Sequence, residues 1–146
     1  LPGRRSGFQM ILRPCTVGGS LLYLGVFNNT DGSQWMPDGL YAASDIERPW
    51  RVALPDGGAL PADILVRGNT AYVLAFYGSA RNGYTNIVYR SEDLKKWTEM
   101  FRFHADTFAR SFEELNGDFY FGLGCRAYPL SDSSGSILRV GRGAYQ

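Results

Sequence analysis

The segment YRSEDLKKWTEM, residues Tyr89–Met100, predicts the end of one β-strand, a short charged turn and the start of another strand. A similar phrase, YAASDIERPWRV, occupies Tyr41–Val52. The tyrosines that open the two phrases lie 48 residues apart, and so do the aspartates Asp45 and Asp93. A turn that recurs at a fixed spacing predicts an internal repeat, and the rest of the chain should then show the same period.

The remaining sequence alternates short apolar segments with turn-forming clusters. Segments such as TAYVLAFYG and DFYFGLGC are rich in β-branched and aromatic residues, whereas NNTDGS, LPDGG and LNGD favour turns. The segment DTFARSFEELNG carries Phe108, Phe112 and Leu115 at near-helical spacing, but its place in the repeat favours a strand. These features predict an all-β fold.

The strand that precedes each turn also repeats. GSLLYLGVF aligns with GNTAYVLAFY when Gly19 is placed on Gly68, and NGDFYFGLG follows with Gly117 another 49 residues on. Each unit then holds about four strands in roughly 48 residues, which is typical of a β-propeller blade. We therefore expect a single propeller-type domain over residues 1–146, with repeat units of approximately 8–58, 59–107 and 108–146.

The charged turn itself is predicted to be structural. The side chains of Ser91 and Asp93 can accept hydrogen bonds from backbone N–H groups of the turn. Leu94 is expected to point inward, and Trp97 to open the outer strand against the next blade. The charged residues then form a solvated tip without a catalytic role.

The recurring turn carries a resemblance to known proteins. Its form, S-x-D-L-x-x-W between the third and fourth strands of a unit, resembles that of the five-bladed propeller glycoside hydrolases acting on arabinans, xylans, fructans and mannosides. It is also similar to the Asp-box turn of six-bladed sialidases, without the glycine of that motif. The resemblance implies a carbohydrate-active protein that uses carboxylate acid/base chemistry. A lectin-like sugar-binding module and a non-catalytic interaction scaffold are the alternatives.

Candidate site residues lie on or near the innermost strands, because propeller sites open at one mouth of the central channel. Asp63 and Glu113 come from adjacent units and form the candidate catalytic pair, since glycosidases place two carboxylates on either side of the scissile bond. The alternative is that Asp63 caps a turn and that one of the neighbours Glu113 and Glu114 points outward.

Four further residues are candidates for substrate binding. The sialidase resemblance implies that Arg13 and Arg110 grip a substrate carboxylate, because a planar guanidinium makes bidentate bonds with that group. Trp35 and Tyr84 lie in polar loops and are candidates for stacking on sugar faces. A carbohydrate is therefore the expected ligand.

Composition argues against several other classes of function. Fifteen Lys and Arg against fourteen Asp and Glu, with no long basic run, predict no nucleic-acid partner. The apolar runs are too short to cross a membrane. His104 is the single histidine and has no ligand at metal-binding spacing, so no metal and no cofactor are expected. Cys15 and Cys125 allow one disulfide or two free thiols.

Three blades do not close a propeller, which usually needs at least four. An open arc would leave two blade faces uncovered. We therefore expect either a fragment of a larger propeller or self-association, in which a second copy or a complementary chain completes the ring. The missing initiator Met and the end at GRGAYQ favour the fragment.

Overall fold

The protein, in a computed structural model that describes residues 9–28, 35–124 and 132–145, is built from antiparallel β-sheets. The strands are β1 (Gln9–Val17), β2 (Ser20–Asn28), β3 (Trp35–Ala43), β4 (Trp50–Arg51), β5 (Leu60–Arg67), β6 (Thr70–Ser79), β7 (Gly83–Ser91), β8 (Thr98–Ala105), β9 (Phe108–Leu115), β10 (Asp118–Gly124) and β11 (Ile137–Val140). They form sheet A (β1 to β4), sheet B (β5 to β8) and sheet C (β9 to β11), each with its strands in sequence order. The all-β prediction is confirmed, and the segment with helical spacing is the strand β9.

The first hairpin of every sheet has the same tight turn, and this turn fixes the strand register. The first turn residue is Gly18, Gly68 or Asn116, with φ of 54°, 56° and 54°. Glycine adopts this left-handed conformation freely, and asparagine tolerates it better than most residues. These three residues are equivalent, so the alignment that placed Gly19 and Gly117 on Gly68 is wrong by one residue. Such a shift exchanges the two faces of a strand.

The three sheets stack face to face, with sheet B in the middle. Sheets A and B enclose one apolar cluster, which includes Leu22, Leu24, Leu40, Val73, Ile87 and Trp97. Sheets B and C enclose a second, which includes Leu65, Leu74, Val88, Phe112, Phe119 and Phe121. The strand β5 contacts both β1 and β9. The first strands of the three sheets are therefore neighbours.

The predicted turn of sheet B forms as a network of side-chain caps. The Oγ of Ser91 accepts a hydrogen bond from the N–H of Leu94 at 2.9 Å. The Oδ1 of Asp93 accepts from the N–H groups of Lys95 and Lys96 at 2.9 and 2.7 Å. Leu94 is buried, as expected. Ser and Asp caps of this kind satisfy the backbone donors that a tight turn leaves unpaired.

Trp97 packs on the opposite side from the one predicted. Its indole N–H donates to the carbonyl of Leu94 at 3.2 Å, and its ring lies in the cluster between sheets A and B. It therefore contacts the preceding sheet and not the next one. Trp97 lies just before β8, whereas Trp50 is the first residue of β4. The two tryptophans thus differ by one position relative to the strands that follow the turn. As a result, both indoles pack in the interface between sheets A and B, each from its own sheet. Trp50 is only half-buried.

Sheet C differs from the other two in its outer part. Among the residues that the structure describes, it has three strands where sheets A and B have four. After β11 the chain forms a short 3₁₀ helix, Arg142–Ala144. Tyr145 then packs against Phe101 and Phe119, with ring centroids 5.2 and 5.5 Å away. Within the same described ranges, no helix has the length and apolar character required to cross a bilayer.

Candidate ligand site at the innermost strands

The first strand of each sheet contains a β-bulge. The ladder shifts between Leu12 and Cys15 in β1, around Ala62 in β5 and around Arg110 in β9. In β1 the bulge includes Arg13, which has a positive φ of 53°. We call Arg13, Ala62 and Arg110 the bulge layer. Bulges redirect a side chain and are enriched beside functional sites. The bulge layer is therefore a candidate position for a ligand site.

Asp63 links the three sheets through its carboxylate. Its Oδ1 lies 3.0 Å from Nε of Arg13 in sheet A and accepts the N–H of Ile64 at 2.9 Å. Its Oδ2 accepts the N–H of Phe112 in sheet C at 3.1 Å. Only 4% of Asp63 is exposed. Burial raises the pKa of this carboxyl, although the N–H of Phe112 and the charge of Arg13 oppose the shift.

The two candidate catalytic carboxylates are engaged with different partners. Glu113 is exposed, forms an ion pair with Arg67, and accepts the N–H of Glu114 at 2.8 Å. Arg67 also lies 3.5 Å from the carboxylate of Glu114. The structure therefore brings Asp63 together with Arg13, and places Glu113 in a separate ion-pair group near the hairpin end of its strand.

A small apolar pocket opens beside the bulge layer. It has a volume of about 190 Å³ and is lined by Leu12, Leu24, Val26, Pro61, Ala62, Phe76, Phe108 and Arg110. The guanidinium carbon of Arg110 lies 5.3 Å from the ring centroid of Phe108, within the range of a cation–π contact. The ring centroid of Tyr84 lies 5.4 Å from that of Phe108, in an edge-to-face arrangement. Two of the predicted binding residues thus converge on Phe108.

Phe108 and Phe76 are the functional candidates that sequence reasoning missed. Their rings stack with centroids 4.5 Å apart and form the aromatic wall of the pocket. The only sequence signal was the position of Phe108 two residues before Arg110, which a strand places on the same face. A bulge at Arg110 alters that simple alternation, so the spacing alone does not predict the contact.

Arg13 has a largely exposed side chain. Its side chain is 60% exposed, and Nε lies 3.0 Å from Oδ1 of Asp63. No hydrogen bond to its two terminal nitrogens occurs within the described part of the chain. A guanidinium anchored in this way retains four N–H donors in one plane, which suit a carboxylate or sulfate group.

The sequence also singled out a tryptophan, two cysteines and a histidine. Trp35 begins β3, and its side chain lies outside the described residues. Cys15 is a free thiol that donates to the carbonyl of Leu22 at 3.5 Å, whereas Cys125 lies outside the described residues. His104 packs over Gly83. No group of three His, Cys, Asp or Glu in the described ranges could hold a metal ion.

Comparison with protein-family models, with curated proteins and with solved structures finds no match to this chain. The functional inference therefore depends on the geometry of the site and on the resemblance of the repeated turn.

Proposed function

We propose that this chain is a three-blade part of a β-propeller of the glycoside hydrolase and sialidase-like kind. Three observations support the proposal. The sheets span residues 9–51, 60–105 and 108–140, inside the three expected repeat units. They stack in sequence order with their innermost strands adjacent. The turn that resembles those families is held by Ser91 and Asp93 as its motif predicts.

Within this architecture, the chain binds an anionic carbohydrate at the bulge layer. The observation that carries this proposal is an apolar pocket lined by Phe108 and Arg110, in which the guanidinium of Arg110 lies over the ring of Phe108. The ring of Tyr84 packs against the same phenylalanine. Aromatic rings contact the apolar face of a sugar, and a few polar groups fix its orientation. Guanidinium groups at Arg13 and Arg110 add recognition of a carboxylate. A uronic acid is the simplest ligand with both properties.

The substitution Arg110→Ala tests this proposal. We expect it to weaken the binding of D-glucuronate about 10-fold or more, because a charge-assisted hydrogen bond to the carboxylate is lost. Isothermal titration calorimetry measures the change, with neutral methyl glucoside as the comparison ligand. The exposed Arg81 provides a matched control, and Arg81→Ala should bind as the wild type does. Equal affinities for wild type and Arg110→Ala would contradict the proposed site.

Glycoside hydrolysis is the second candidate function. It is favoured by the raised pKa of Asp63, a property that a general acid needs. Because both Asp63 oxygens are occupied and buried, hydrolysis would require this carboxylate to exchange Arg13 for the substrate. Aryl glycosides release a coloured phenol on cleavage. Turnover by the wild type that disappears in folded Asp63→Asn would favour hydrolysis, and binding without turnover would favour the lectin-like function.

The open faces of the stack favour a partner that completes the ring. Leu115 and Ile137 on sheet C are 59% and 76% exposed, and both lie on the face turned away from sheet B. A second copy or a complementary chain would cover them. Light scattering should therefore give a mass of at least twice 16.2 kDa, or reveal a second chain. A folded 16.2 kDa monomer would contradict closure of the ring.

A further inference from the structure

We propose that Asp63 is a positioning residue whose own protonation sets the charge of the anion site. When ionised, Asp63 fixes Arg13 and neutralises it. When protonated, it leaves Arg13 as an uncompensated cation that binds anions more tightly. The inference rests on the proposed function of the bulge layer and extends it to a dependence on pH.

The asymmetry of the ion pair carries this inference. Asp63 is buried, whereas the side chain of Arg13 is 60% exposed and approaches Asp63 most closely through Nε. An incoming anion can therefore reach the outer nitrogens of Arg13 without displacing Asp63. The carboxylate then lies on the far side of the same guanidinium and reduces the attraction that the anion feels. Protonation of Asp63 removes this negative charge and therefore strengthens the binding of an anion to Arg13.

The groups that face Asp63 come from all three sheets. Arg13 of β1 and the N–H groups of Ile64 and Phe112 stabilise the ionised form, whereas Glu113 of β9 opposes it. The charge of Glu113 is itself balanced by Arg67. Desolvation outweighs these donors, and it raises the pKa of Asp63 above the ordinary value of an aspartic acid. The carboxyl thus takes up a proton at a higher pH than an unperturbed aspartic acid does.

Binding and protonation are thermodynamically coupled. An anion on Arg13 places a second negative charge near Asp63, so binding favours the protonated carboxyl. The complex should therefore take up a proton when it forms at a pH between the Asp63 pKa values of the free and the bound protein. For a partly exposed pair, removal of one charge should change anion affinity about fivefold.

Nuclear magnetic resonance of the ligand-free wild type tests the pair directly. The side-chain carboxyl carbon of Asp63 and the Nε–H signal of Arg13 are followed between about pH 4 and 7.5, the range above the ordinary Asp pKa. We expect both signals to change with one shared midpoint above that ordinary value. A constant Arg13 signal through the Asp63 midpoint would overturn the proposal, as would an Asp63 midpoint at or below the ordinary value. No variant is needed, so a folding defect cannot obscure the result.

Calorimetry with inorganic sulfate, which keeps its charge over this range, tests the consequence for binding. Wild type should bind sulfate about fivefold more tightly at the acidic end than at the neutral end, with proton uptake detected in buffers of different ionisation enthalpy. Folded Asp63→Asn should bind tightly at both pH values and take up no proton. The control Glu113→Gln should keep the pH dependence. Equal wild-type affinities at both ends would overturn the gating role.

The two proposals can fail separately. If the Asp63 and Arg13 signals titrate together but neither sulfate nor D-glucuronate binds at any pH, the proposed function is wrong and the site has no anion for Asp63 to control. If D-glucuronate binds and depends on Arg110, but the Asp63 and Arg13 signals are independent, the proposed function stands and the gating role of Asp63 is overturned.

Discussion

Trp97→Ala is expected to lower the free energy of unfolding by about 3 to 5 kcal/mol, the usual cost of removing a buried aromatic side chain from a core. Trp97 is 7% exposed and lies in the cluster that joins sheets A and B. Its indole N–H also closes the turn by donating to the carbonyl of Leu94. The substitution therefore opens a cavity between two sheets and removes a bond that keeps Leu94 buried at a positive φ of 60°.

Trp50 supplies the matched control for this prediction. It belongs to the first copy of the same sequence motif and packs against the same cluster, but it is half-buried. Trp50→Ala should cost about half as much, since less apolar area is removed from contact. Urea denaturation followed by circular dichroism gives both free energies on one scale. An equal loss for the two variants, or a larger one for Trp50→Ala, would contradict the different faces that the structure gives to the two tryptophans.

The sequence was sufficient to predict the fold class because the relevant signals are local. Strand propensity and turn chemistry act over a few residues, and the cap formed by Ser91 and Asp93 involves only neighbours in the chain. The period of the repeat also identified β9 as a strand against its helical spacing. The alignment of the strands between the three sheets could not be predicted from these local signals alone. Sheet A has glycine at both turn positions and Asn116 replaces glycine at the first turn position of sheet C, so an alignment on glycines shifts the second strands of sheets A and C by one residue relative to that of sheet B.

The site could be predicted only in part. Arg13 and Arg110 were identified through the resemblance, but their different environments depend on bulges that shift each strand locally. The burial of Asp63 could not be predicted, because its partners Arg13 and Phe112 are about fifty residues away on either side. A carboxylate that looks like a catalytic group in the sequence can equally be a link between sheets, and only its contacts distinguish the two roles.

Asp63→Ala is the second substitution with a large expected effect, a loss of about 2 to 4 kcal/mol in the free energy of unfolding. The loss comes mainly from the N–H groups of Ile64 and Phe112, which are left without an acceptor. The ion pair adds little, because Arg13 is largely exposed. Glu113→Ala removes an exposed carboxylate and should cost less than about 1 kcal/mol. Urea denaturation at pH 7 measures both, and equal losses would argue against Asp63 as a link between sheets.

The pH dependence of the free energy of unfolding gives an independent test of the direction of the Asp63 pKa shift. The folded-state pKa of Asp63 is raised, so between the ordinary Asp value and the raised value the folded protein binds a proton that the unfolded chain does not. The stability contributed by this group is therefore fully present below the ordinary value and is lost as pH rises through the folded pKa. Relative to Asp63→Asn, the wild type should gain stability as pH falls from 7 toward about 4. Urea denaturation of the wild type and Asp63→Asn at each pH measures this difference. The contributions of the other carboxylates are the same in both proteins and cancel. A gap that stays constant, or that moves the other way, would mean that the hydrogen bonds from Phe112 and Ile64 outweigh desolvation.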